Sequence, residues 1–328
     1  MGRITIKDIA KMAGVSISTV SRALKDHPDI SIPVKDKIKL IAQNLNFVPN
    51  ASAVGLRQKS IRTIGLILPS IHNFFVPSMI EGVSKALKSH HYKLMILTSD
   101  EDYEKEVQNI ATCIDSNVDG ILISLTKSTI NLHHLQKPSE LNIPIVLLDK
   151  SIHQEEYSEV MINDYLAGKM CFEYLQKQDA QYILGFFGPK TLNITLDRLN
   201  GFMEATTLYP DISTQFYFCE SSLDAKNTCV AALRDFPKTD AIFMMSDEVM
   251  VGINAAINDE EWKHINHKIK TIAISEGYLP QFMYPPITHL LHNGKALGQN
   301  AAELLLDQIK SPNKEPIKKL LNISIHAY

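Results

Sequence analysis

TIKDIAKMAGVSISTVSRAL, Thr5 to Leu24, reads as two short helices joined by a glycine turn. Thr5 caps a first helix whose apolar positions Ile6, Ile9, Ala10 and Ala13 follow helical spacing. Gly14 breaks it, and Ser16 caps a second helix, Ile17 to Leu24, with Val20 and Leu24 four apart on its inner face. The outer face then carries Ile17, Ser18, Ser21 and Arg22, small or hydrogen-bonding side chains that fit a DNA major groove about 12 Å wide. Taken alone, the pattern also suits an ordinary helical hairpin. Ser31 opens a third helix with Ile38, Ile41, Ala42 and Leu45 as its buried stripe and Lys35, Lys37 and Lys39 outside, completing a three-helix head.

After Pro49 the run from Ala51 to Arg57 is weakly helical, and Gly55 costs it up to about 1 kcal/mol relative to Ala, so a partner is needed to order it. The electrostatics change at the same place. The first sixty residues carry seven Lys and three Arg against four Asp and no Glu, a net of +6. The whole chain of 328 residues nets -3, so the rest carries 23 basic and 32 acidic residues, a net of -9. A basic head on an acidic body suits an appended module that meets phosphate backbones.

Beyond Ile61 short apolar runs alternate with amphipathic helices, which predicts parallel sheets covered on both faces. Strands are expected at 64–68, 94–98, 120–125, 145–149, 183–187, 215–219, 241–245, 271–275 and 287–291, with helices such as 79–87, 104–114, 167–176, 225–233 and 297–309 between them. That is too many strands for one small sheet, and the polar stretch His153 to Glu159 interrupts the rhythm. The expected fold is an all-α helix-turn-helix head (1–47), a hinge helix and linker (48–60) and an α/β body (61–328) of two doubly wound lobes, like a periplasmic binding protein. Lobe 1 is expected at about 61–158 plus 290–318 and lobe 2 at about 159–289 plus 319–328. Such sheets bind ligands at the carboxyl ends of their strands. Candidates there are Ser70, His72, Phe74 and Phe75 after the first strand, Asp149 after the fourth, Ser246 with Asp247, and Ser275 with Glu276. Hydroxyls, carboxylates and aromatic rings of this kind suit a sugar, and a purine would use similar groups.

TIKDIAKMAGVSISTVSRAL (5–24), FVPNASAVGLR (47–57) and TIGLILPSIHNFF (63–75) together resemble the LacI/GalR family of transcriptional regulators, a likeness that spans essentially the whole chain. The resemblance implies that Ile17, Ser18 and Arg22 face base edges, while Thr5, Ser16, Thr19, Ser21, Ser31 and Asn50 hold phosphates. It further implies that the hinge, with Ala53 and Leu56, folds on DNA and that Leu56 wedges into the minor groove at the operator centre. In the body it places Arg198, in DRLNGFMEA, at the effector. It matches Asp149, Ser246, Ser275 and His292 to pocket positions and Phe75 to its ring-bearing lip. This chain departs from relatives at several points: Val54-Gly55 precedes the wedge, Ser275 stands for a common Asp, Ser246 for Asn, and His292 for a frequent Gln. A lost carboxylate at Ser275 implies a different effector or a different orientation. Asp164 and Tyr165 are expected to be structural.

Other classes are disfavoured. No GxGxxG, GxxxxGK[ST], GxSxG or HExxH motif is present, so no catalytic residue, cofactor or metal is expected. Cys113, Cys171, Cys219 and Cys229 form no CxxC pair. No apolar run reaches the roughly 18 residues a membrane span needs, and the N-terminus lacks a signal-peptide core. An exported sugar-binding protein would also have no use for the basic head. The expected function is a cytoplasmic, homodimeric DNA-binding regulator, a repressor, acting on double-stranded operator DNA. A small-molecule effector between the lobes switches it, a sugar or sugar phosphate first and a nucleoside or purine second.

Overall fold

The computed structural model describes residues 4–45, 47, 60–150, 152, 155–264, 266–312 and 314–328. The chain divides into two units, 1–61 and 62–328. In the first, helices α1 (Ile6–Ala13), α2 (Ile17–Leu24) and α3 (Ile32–Asn44) bury Ile9, Val20, Ala23 and Ile38 completely against one another. Gly14, in the left-handed region at φ 72°, ends α1 with its N–H bonded to the Ala10 carbonyl, as a residue without Cβ does most readily. Ser16 then caps α2 by accepting the Thr19 N–H at 3.1 Å. The expected hinge residues Asn50, Ala53, Val54, Gly55 and Leu56 lie outside the described residues.

The second unit continues with β1 (Thr63–Leu68), α4 (Val76–Ser89), β2 (Lys93–Thr98), α5 (Tyr103–Asp115), β3 (Gly120–Ile123), α6 (Gln136–Glu140), β4 (Ile145–Leu148) and β5 (Ser158–Ile162). Next come α7 (Asp164–Lys177), β6 (Tyr182–Phe187), α8 (Asn193–Thr206), β7 (Ser213–Phe218), α9 (Ser222–Asp235), β8 (Ala241–Met244), α10 (Asp247–Ile257) and β9 (Lys270–Ser275). The chain closes with β10 (Thr288–Leu291), α11 (Gly294–Lys310), β11 (Lys318–Leu321) and β12 (Ile325–His326). Two six-stranded sheets form, in the orders β11-β5-β4-β3-β1-β2 and β12-β10-β9-β8-β6-β7. Pairings are parallel except β10 with β12. The strands of parallel sheets are buried on both faces, which explains the unbroken apolar runs TIGLIL and YILGFF.

The lobe boundaries differ from those expected. β5 pairs with β4 and β11, so the first crossing between lobes falls after Ile162, not at 158. β10 pairs with β9, so the second falls after Leu291, and β11 returns to the first sheet before β12 joins the second, moving the third crossing past Leu321. The polar segment before β5 is therefore a connection inside lobe 1. Strand β5 escapes sequence reading because SEVMI opens with two polar residues, both buried and tied to the incoming β11 region: Ser158 Oγ accepts from Ile317 N–H at 2.9 Å, and Glu159 lies 3.7 Å from Lys318.

Lobe 2 is filled by aromatic rings, with Phe172, Phe187, Phe202 and Phe243 all buried and packed edge-on or tilted. Against this core α7 and α8 approach closely. A Cβ at Gly168 would sit 2.0 Å from the Arg198 carbonyl oxygen, and one at Gly201 would sit 1.8 Å from that of Tyr165. The two glycines let the backbones touch, and that contact sets where the Arg198 side chain emerges.

Candidate functional site

Each sheet reverses its strand order once, between β1 and β3 and between β6 and β8, and at such points loops part to leave a crevice. A cavity of about 330 Å³ lies there, lined by the residues that follow the strands: Pro69 and Ser70, Ser124, Asp149, Gly188 and Pro189, Met245 and Ser246, and His292. A second cavity, about 600 Å³, adjoins it and shares Lys127, Lys150, Leu192 and Ile194; Thr126, Ser128 and Thr191 add hydroxyls there.

Arg198 lines the first cavity although only 2% exposed. Its Nε donates to Asp164 Oδ1 at 2.7 Å, its Nη2 lies 2.7 Å from the same oxygen, and its Nη1 donates to the Met245 carbonyl at 2.6 Å. Three of the five N–H groups are thus engaged, which locks the plane of the guanidinium and leaves one N–H on each terminal nitrogen for a ligand oxygen. Asp164 is therefore structural, as expected, but its structure serves the site.

Facing this clamp, His292 Nε2 lies 3.5 Å from Asp149 Oδ1, too long for a good hydrogen bond, and that buried nitrogen has no hydrogen-bond partner among the described residues. The Phe75 ring stacks on the imidazole, with centroids 4.2 Å apart and planes 28° apart. Burial, reinforced by the Arg198 charge, holds the His292 pKa well below its usual value, so the ring is neutral. Burial also pushes the Asp149 carboxyl up to about 6, against the pull of Lys150. Asp149 occupies the left-handed region at φ 67°, a conformation that costs most residues of order 1 to 3 kcal/mol and that Asp tolerates better than most. A hydroxyl placed between Asp149 and His292 would satisfy both.

Three expected pocket residues lie elsewhere. Ser275 donates its hydroxyl to Asp247 Oδ1, and Asp247 Oδ2 accepts the Glu276 N–H at 3.0 Å, so these buried groups satisfy each other and do not line the cavity. Burial raises the Asp247 pKa to about 6, opposed by the Ser275 hydrogen bond. The serine at 275 thus faces Asp247 and not the cavity. Phe74 is 42% exposed and outside the lining; its N–H donates across the cleft to Glu248 Oε1 at 3.1 Å. Ser246 does line the cavity while capping α10 through the Val249 N–H.

Sequence reading also misses several charged residues. Glu101, Lys127, Lys150 and Glu220, on loops, and Glu248, in the first turn of α10, all line the cavity, and no motif marks them. Glu106, fully buried on α5, accepts from Thr126 N–H and from the Thr129 hydroxyl, both at 2.8 Å, with His134 Nε2 2.9 Å away. It pins the loop that brings Lys127 to the cleft. No periodicity marks such a residue, because its partners lie 20 and more residues away.

In the head, Ser16, Ile17, Ser18 and Arg22 are exposed along one face of α2, and Thr19 and Ser21 are half-buried. The hydroxyls of Ser16, Ser18 and Thr19 cluster at 2.8 and 2.9 Å at the N-terminus of the helix, where backbone N–H groups favour phosphate oxygens. Thr5 and Ser31 are exposed at the starts of α1 and α3; the Thr5 hydroxyl donates to Asp8 at 2.7 Å. Among the described residues no group of three or more His, Cys, Asp and Glu could hold a metal, and no helix is long and apolar enough to cross a membrane.

Comparison with known proteins identifies the family and the fold. The profile of bacterial regulatory proteins, lacI family, matches residues 5–50, and that of periplasmic binding proteins and the sugar binding domain of the LacI family matches residues 61–326. The chain is 29% identical over 318 residues to the ribose operon repressor of Bacillus subtilis strain 168, covering 95% of this chain and 93% of that one. It is 29% identical over 311 residues to the sucrose operon repressor of Staphylococcus xylosus, covering 93% of each. The lac repressor dimer bound to operator and the anti-inducer ONPF shares the fold at a TM-score of 0.87 and 19% identity, over 99% of this chain and 98% of that one. The chain belongs to the LacI family, and is a DNA-binding transcription regulator governed by an effector, not an enzyme.

Proposed function

We propose that the protein is a cytoplasmic, homodimeric repressor whose operator affinity is switched by a sugar bound at Arg198, Asp149, His292 and Ser246. The observation that carries this reading is the opposition of a fixed guanidinium edge and a buried, unpartnered imidazole beside Asp149. Hydroxyl pairs on a sugar ring suit both walls, since each hydroxyl donates and accepts. A stacked base has less support: Phe75 is the one Phe, Tyr or Trp lining the cavity among the described residues, and His292 covers one face of it. Relatives repress ribose and sucrose operons, which accords with a sugar.

In the head, Ile17, Ser18 and Arg22 read base edges. Thr5, Ser16, Thr19, Ser21, Ser31 and Asn50 hold phosphates, and Ala53 and Leu56 reach the minor groove. Two heads read a roughly palindromic operator. The effector changes operator affinity by the difference between its affinities for the two body states, typically about 1 to 3 kcal/mol. The test is operator binding by fluorescence anisotropy against a sugar panel, for the parent chain and Arg198→Ala. One sugar should shift the parent and leave the variant bound as before. A variant that still responds would move the pocket elsewhere.

A further inference from the structure

We infer that the effector carries no negative charge: it is a free polyhydroxylated compound, and its phosphate ester is excluded. This deepens the proposed function and rests on the cleft being the effector site. Among the described residues, each cation lining the cavity already faces a carboxylate, so none of them is left over for an anion. Arg198 is paired with Asp164 at 2.7 Å, Lys150 with Glu101 at 3.4 Å, and Lys127 with Glu220 at 3.6 Å. Asp149 and Glu248 remain on the lining, each an acid without a cation of its own in these pairings. A phosphate monoester brings about -1.5 to -2 charges at neutral pH, which this lining would repel in a half-buried site of low effective dielectric.

Helix N-termini facing a cleft ordinarily favour anions. Here the protein's own groups answer them. Ser221 caps α9 by accepting the Asp224 N–H, and Ser246 caps α10, whose first turn also holds Asp247 and Glu248. Asn163 caps α7, which opens on Asp164, and Asn293 caps α11. In front of α4, which lacks a side-chain cap, Glu248 takes the Phe74 N–H. α8 begins with neither cap nor acid; its start turns the apolar Leu192 and Ile194 to the cavity, and Arg198, one turn further on, is the cation that Asp164 already answers.

The rim pair Lys127–Glu220 is solvent-exposed and weak, whereas Lys150 is only 12% exposed, so Glu101 is the decisive guard. The experiment is calorimetric titration of the full chain at neutral pH with three matched pairs: ribose and ribose 5-phosphate, glucose and glucose 6-phosphate, sucrose and sucrose 6-phosphate. A free sugar should bind, and its ester should bind at least about tenfold more weakly. In Glu101→Gln, which frees Lys150 while keeping an acceptor for the Lys127 N–H, the ester should recover at least about threefold relative to the free sugar. An ester that binds more tightly than its parent, no binding by any free sugar, or an unchanged ratio in Glu101→Gln overturns the inference. Binding that survives in Arg198→Ala, or in Asp149→Asn where the former fails to fold, overturns the cleft as the site. Tighter ester binding that these variants abolish overturns only the statement about charge.

Discussion

The head and the cleft expose function in opposite ways. In the head, the side chains expected at base edges, Ile17, Ser18 and Arg22, lie exposed on one short helix, and the Ser18 hydroxyl bonds only to its neighbour Ser16 among the described residues. In the cleft, the candidate groups come from strand ends between Ser70 and His292 and, for Arg198, from helix α8, and several are held by buried partners. A residue that acts from a surface can change without cost to the fold. A residue held in a buried clamp, as Arg198 is by Asp164, cannot, so an effector site built on it would tie sensing to stability.

Substitutions can break that contrast. The largest effect belongs to Arg198→Ala, which strands the buried Asp164 carboxylate and should cost the body about 3 to 5 kcal/mol in urea unfolding. Replacing both partners by apolar residues, Arg198→Met with Asp164→Leu, should recover most of that stability but no effector response; equal stability of the parent and the single variant would dissolve the clamp. Gly201→Ala must push α8 from α7, because its Cβ would meet the Tyr165 carbonyl. It should cost about 1 to 3 kcal/mol and lower effector affinity by moving Arg198, with operator binding retained. Arg22→Ala is the opposite case. It should leave unfolding within about 0.5 kcal/mol of the parent while erasing about 1 to 3 kcal/mol of discrimination at one base pair per half-site. A uniform loss over all sequences would instead mark a phosphate contact.

The smallest effect is with pH. Asp149 has a folded pKa of about 6, above its unfolded value of about 3.9. The folded state therefore takes up its proton first as pH falls, and the stability cost of ionised Asp149 is present at neutral pH and relieved between about 6 and 4. Asp247, also raised to about 6, moves stability in the same direction. Effector binding should run the other way, since a ligand hydroxyl donates best to the ionised carboxylate, so affinity should fall as pH drops through about 6. Asp149→Asn should flatten the profile.

Legibility follows the same division. Helices α1 to α3 and their caps were readable because their determinants, Gly14, Ser16 and the apolar spacings, are local. The principal strands were readable as apolar runs. β5, β11 and β12 were not, because their burial depends on neighbours distant in sequence, as Ser158 shows through its bond from Ile317. In the cleft, Arg198, Asp149 and His292 were located by strand ends and family likeness. The orientation of Ser275 toward Asp247 was invisible, since a serine's partner is fixed only when two strand ends meet. The charge pairs were invisible for the same reason: Lys127 and Glu220 are 93 positions apart and come from different lobes.

The last eleven residues are a stitch as much as a tail. β11 lengthens the first sheet and β12 the second, so one short stretch of chain seals an edge on each lobe. A stop codon after Ile317 would remove both seals at once, uncovering β5 and β10 as open edges with unpaired backbone groups. The first symptom would be self-association of the bodies through bare strand edges, before either DNA or effector binding was touched.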